Sequence, residues 1–143
     1  MRKIAETLVA YETASNQFSK AEAAAAFHVA EKLRPHLANL MGVGGFRALL
    51  SRALVLANAE VSWLGKVRVE VDGTLEGLKR THLQLDQAEF LEGSVVLLAQ
   101  LLGLLAALIG LSLTLQQLNE IWPDLDPATW VAAGEEVQSA KTR

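Results

Sequence analysis

Residues 95–115, VVLLAQLLGLLAALIGLSLTL, contain no charged side chain, and this run constrains the fold more than any other feature. As one helix it would be about 30 Å long, close to the hydrocarbon thickness of a bilayer. Two environments suit such a helix: lipid, or protein packed on every side. Hydropathy favours lipid, because only Gln100, Ser112 and Thr114 interrupt the run. The flanks favour protein. No Lys or Arg lies between Arg80 and Lys141, so the usual juxtamembrane positive charge is missing. Beyond the run, Gln116, Gln117, Asn119 and Glu120 share the chain with an apolar stripe of Leu111, Leu115, Leu118 and Trp122. That pattern is how a core helix emerges at a surface. The sequence therefore predicts a central helix over 95–122, covered by protein.

The rest of the chain supplies helices that could cover it. Ile4, Leu8 and Tyr11 give residues 1–14 one apolar side. Ser19-Lys20-Ala21-Glu22 is a capping box preceded by Phe18, and it opens a second helix. The stripe Val29, Leu33, Leu37, Leu40 runs through Pro35, which predicts a kink there and a stop at Gly42. Gly42-Val43-Gly44-Gly45 reads as a corner. Phe46, Leu49, Leu50, Ala53, Leu54 and Ala57 then form the apolar face of a third helix that ends near Glu60. Trp63 and Leu64 are expected to tuck into the core. Asp86-Gln87-Ala88-Glu89 is a second capping box, and Gly93-Ser94 predicts a bend or break in the helix it opens. Pro123 ends the central helix, and Asp126-Pro127 starts a last short one that stops at Gly134.

One stretch breaks the helical pattern. Val67, Val69 and Val71 alternate with Arg68 and Glu70 ahead of Asp72-Gly73, a favoured two-residue hairpin turn. A short ribbon near 67–76, a strand pairing across a subunit interface, and an extended loop all remain open. The expected architecture is an all-α bundle of five to six helices in one domain, 1–134, with a frayed tail at 135–143.

Chemistry is sparse. A net charge of −3 gives no electrostatic footprint for nucleic acid, and the absence of cysteine excludes disulfides and thiolate metal sites. His28 and His82 lie one turn from Glu31 and Asp86, yet neither belongs to the Glu-x-x-His motif of a di-iron bundle, and solvated histidines are the expected reading. His36 stands alone. Residues 42–47, GVGGFR, follow a helix rather than a strand and lack the spacing of a phosphate-binding loop. Glu70 with Asp72, and Asp124 with Asp126, are explained by turn chemistry. Trp63, Trp122 and Trp130 flank helix ends and are expected in the core. Arg2-Lys3 mimics the start of a signal peptide, but Glu6, Glu12 and Asn16-Gln17 interrupt what should be its apolar region, so no secretory signal is expected. No cofactor, no metal and no enzymatic activity are expected.

The remaining candidate surface is a stripe of small residues. Gln100, Gly103, Ala107, Gly110 and Thr114 recur along the central helix, and small side chains let two helices approach closely. The stripe is a candidate self-association contact between two copies, or a seat for another helix of the same chain. GFRALLSRALVLANAEVSWLGKVRVEVDGTLEGL (45–78) and LLGLLAALIGLSLTLQQLNEIWPD (101–124) resemble segments of small uncharacterised bacterial helical proteins. The resemblance is one of texture and carries no activity or site residues; it implies a bacterial, cytoplasmic origin. The sequence reading is thus a non-enzymatic helical interaction or regulatory module that self-associates, with an unidentified protein partner. The alternative is a small single-pass oligomeric protein of the inner membrane whose helical remainder is cytoplasmic.

Overall fold

The computed structural model describes residues 2–16, 21–71, 75–76 and 87–125, and among them the chain is mostly helical, with four α-helices. The order is α1 (Arg2–Asn16), α2 (Ala21–Glu60), a 3-10 turn (Ser62–Lys66), β1 (Arg68–Val69), β2 (Leu75–Glu76), α3 (Gln87–Ile109) and α4 (Leu111–Ile121). The all-α class expected from the periodicity is observed. Four α-helices are delineated among the described residues, where five to six were expected for the whole chain; α2 is itself two helical segments joined at a kink at Gly42, the stop expected from the sequence. The predicted helix after Asp126 lies outside the described residues, as do the cap at Ser19, His82 and the tail.

Apolar spacing placed most of the core. Ile4 and Leu8 of α1 are fully buried, as are Val29, Leu33 and Leu37 of α2 and, further along, Phe46, Leu50, Ala53 and Ala57. Leu40, expected on the same stripe, is 43% exposed. It lies two residues before the kink at Gly42. The backbone stays helical through Pro35 and leaves helical dihedrals at Gly42 (φ 81°, ψ 158°), so the break falls at the glycine rather than the proline. Pro35 is solvent-exposed, and the carbonyl one turn before it, left without an N–H, sits on a part-exposed residue. That position tolerates proline better than a buried one would.

α3 is the covered helix. Residues 93–98 are buried without interruption, more than one full turn, so protein surrounds the helix on every side there. Leu101, Leu102, Leu105 and Ala106 continue the burial, against α1 and α2.

The predicted continuous helix over 95–122 needs two corrections. First, no break occurs at Gly93-Ser94. Ser94 bonds back to the Phe90 carbonyl (Oγ to O 2.9 Å) instead of capping a new helix. Gly93 lies under the Trp63 indole, where a Cβ would sit 2.6 Å from Cε2 and 2.8 Å from Nε1. The glycine is needed for that close approach, not for a turn. Trp63 stacks on Phe90 with ring centroids 5.5 Å apart, and its Nε1 donates to the Glu89 carbonyl (3.3 Å). Second, the break falls at Gly110 (φ 91°, ψ 151°). Two contacts show how sharp it is. Arg2 pairs with Glu92 while Tyr11 Oη donates to Asp124 Oδ2 (3.4 Å). Arg2 and Tyr11 are about 14 Å apart along α1, whereas Glu92 and Asp124 on one straight helix would be about 48 Å apart. Side chains cannot close that gap, so the chain bends back at Gly110. Leu118 of α4 and Trp122 just after it are buried in the shared core, and Lys32 Nζ stands 5.9 Å from the Trp122 ring centroid.

β1 and β2 pair antiparallel within the chain, with Arg68 opposite Glu76 and Val69 opposite Leu75. This resolves the ribbon as intrachain. A two-residue Asp72-Gly73 turn would set Val69 opposite Glu76, so the register is displaced by one from that expectation. Five residues, 70–74, connect the paired positions, an odd loop of a length also common in hairpins.

Candidate functional site

The glycine corner between α3 and α4 carries the one surface singled out by the sequence. Its geometry begins with Gly110, whose φ and ψ lie in a region that is essentially glycine-only. The Gly110 N–H still donates to the Ala106 carbonyl (2.8 Å), closing α3. The Gly110 carbonyl then accepts two bonds, from the Thr114 N–H (3.1 Å) and from Thr114 Oγ1 (2.8 Å). Thr114 is fully buried, and its hydroxyl ties the first turn of α4 to the corner.

The corner divides the five-residue stripe. Gln100 is half-buried, and its Nε2 donates to Glu60 Oε2 (2.9 Å), which links α3 to the end of α2. Gly103 is half-buried on the same helix. Thr114 faces inward and is unavailable to a partner. Ala107 and Gly110 are exposed, with open space beyond Gly110. The stripe is therefore not one continuous helical face, since Gly110 ends the helix that carries Gly103 and Ala107.

Sequence reasoning missed what surrounds the exposed pair. Leu108 is 64% exposed, Leu113 is partly exposed and Ser112 is exposed. Together with Ala107 and Gly110 they make an uncharged, largely apolar tip. Spacing could not reveal it, because Leu108 reads like every other leucine of the run.

The second glycine corner has the same character. Gly42 has dihedrals close to those of Gly110, and Leu40, Val43, Gly44 and Gly45 around it are exposed. Val29–Glu60 and Ala88–Ile109 are both long and apolar enough to cross a membrane by length and composition, with mean hydropathy 1.5 and 2.0. They differ in cover: 56% of the apolar window of the second is buried, against 22% of the first.

Among the described residues, one set of ion pairs is exposed, around Arg2, and one is part-buried, at Arg34. Arg2 bonds Glu92 and Glu6 (Nε to Oε1 2.9 Å), and Glu92 foremost, then Glu6, raises the pKa of its guanidinium. Arg34 pairs with Glu31 (2.6 Å). No group of three or more metal-ligating side chains occurs among the described residues, and His36 is exposed. Comparison with protein-family models, curated proteins and solved structures finds no match to this chain.

Proposed function

We propose that this protein is a helical interaction module that self-associates through the tip at the α3–α4 corner. The observation that carries the reading is the exposure of Leu108 beside Ala107 and Gly110 in a charge-free segment whose earlier residues, 93–98, are buried without interruption. An exposed leucine flanked by small residues lets a second copy approach closely, and a two-fold contact would bury the same tip on both copies. Ala107, Gly110 and Leu108 form this contact. Gln100 and Gly103 lie further along α3, and Thr114 supports the corner from inside.

Light scattering of the purified chain tests it. The wild type is expected as a dimer at micromolar concentration and Leu108→Glu as a monomer with unchanged far-ultraviolet dichroism. A wild-type monomer, or a variant of unchanged mass, would reject the proposal. A second reading, a small oligomeric inner-membrane protein, takes support from the two helices long enough to span a bilayer. High-speed centrifugation of membranes washed at high salt and alkaline pH without detergent separates the two: a cytoplasmic module, even one docked on lipid, is released to the supernatant, and a spanning protein stays in the pellet.

A further inference from the structure

We propose that the solvent-facing side of α2 beyond Gly42 is a docking face for an anionic lipid surface, on which this helix lies flat. The argument starts from charge. The chain carries a net charge of −3, yet from Lys32 to Ala59 there is no Asp or Glu, while Arg47 and Arg52 stand exposed. The first acid past this stretch is Glu60, the last residue of α2, which accepts from Gln100 of α3; the other exposed acids, Glu6, Glu89, Glu92, Glu120 and Asp124, lie off this helix.

Helical geometry arranges the rest. Phe46, Leu50, Ala53 and Ala57 define the buried side of this helix. At about 100° per residue, Gly44, Ala48, Val55 and Ala59 fall on the opposite side, and all four are exposed, Val55 to 63%. Arg52 falls on one edge of that strip, and Arg47 on the other, beyond the uncharged Ser51 and Asn58. An outward face that is apolar along its middle, with an arginine on each border and no acid between them, is the reverse of an ordinary solvated face. It matches a helix lying in the interfacial plane, with its apolar strip among the acyl chains and its arginines reaching to phosphate. Val43 and Leu40, exposed at the Gly42 corner, extend the apolar area. The low burial of this apolar helix, 22% of its window, is what a second covering medium would account for.

Three other occupants fit less well. A second copy would present the same arginines and no carboxylate to meet them. A nucleic acid would place its phosphates over the apolar strip. A spanning orientation would strip the helix of the core it shares through Phe46 and Leu50.

The experiment is co-sedimentation of the purified full chain with vesicles of phosphatidylcholine alone and of phosphatidylcholine mixed with phosphatidylserine. Binding to the mixed vesicles is expected, weakening as salt is raised. Arg47→Gln with Arg52→Gln is expected to lower it about 30-fold, and Val55→Asp to lower it further, both with unchanged helicity. Absence of binding, equal binding to the two vesicle types, insensitivity to salt, or full binding by the double arginine variant would each overturn the proposal. The face is distinct from the α3–α4 tip, so Leu108→Glu should leave vesicle binding intact. Failure of either proposal is then read separately.

Discussion

Residues 93–106 and 107–113 are adjacent, equally free of charge and almost equally apolar, yet they end in opposite environments. The first stretch includes six consecutive buried residues. The second exposes Ala107, Leu108, Gly110, Ser112 and Leu113. The two glycines show why. Gly93 is helical and lies beneath an indole, so the chain runs straight on among its neighbours. Gly110 has a positive φ and open space beside it, so the chain turns back and leaves its corner uncovered. Apolar composition therefore set the capacity for burial, and the path of the backbone decided which residues received it.

Substitutions can break this contrast, beginning with the largest effect. Leu102→Ala removes a fully buried side chain from the covered stretch and is expected to cost about 2–5 kcal/mol in urea unfolding. A cost within ~0.5 kcal/mol, as for an ordinary surface change, would mean that the core around α3 is not packed as described. Gly93→Ala is next, at about 1–3 kcal/mol, because Trp63 must yield to the new methyl group. The cause can be isolated: in a Trp63→Ala background the same substitution should become neutral to stabilising, since alanine is the better helix former, and persistence of the full cost would place the clash with a neighbour other than Trp63.

Gly110→Ala meets no neighbour, so its cost should come from backbone strain alone, about 1–3 kcal/mol, and should survive in the Trp63→Ala background. Amide exchange of the α4 residues is expected to accelerate with it. Thr114→Val deletes the hydroxyl bond to the Gly110 carbonyl and should cost about 1 kcal/mol. Leu108→Ala closes the series. Under conditions where the protein is monomeric, its effect should stay within about 0.5 kcal/mol, and a loss like that of Leu102→Ala would show that the tip is covered after all.

Much of the fold is legible in the sequence, and particular residues show the extent. The faces bearing Ile4 and Leu8, Val29, Leu33 and Leu37, and Phe46, Leu50, Ala53 and Ala57 are buried as their spacing requires. α2 ends at Glu60 and α4 at Ile121, ahead of Pro123, close to where those ends were read. The β-ribbon was visible as alternation and a turn signal, but its register was not, because hairpin loops of two and five residues share the same turn residues. The candidate surface was only partly legible. Ala107 and Gly110 are at the surface, while Thr114, one further step along the same stripe, is sealed inside by the corner. A stripe read on a straight helix cannot anticipate a reversal midway.

The sequence by itself determined the helical class, the apolar faces and the helix ends marked by proline, since these follow from local periodicity and backbone chemistry. Gly42 breaks its helix where the sequence placed a stop, but between Gly93 and Gly110 the tertiary structure alone decided which one turns the chain. A glycine permits both a helical conformation under a close neighbour and a left-handed corner, and the choice depends on what packs against it. Trp63 is distant in sequence, and it keeps Gly93 inside a straight helix; nothing presses on Gly110, and there the helix turns.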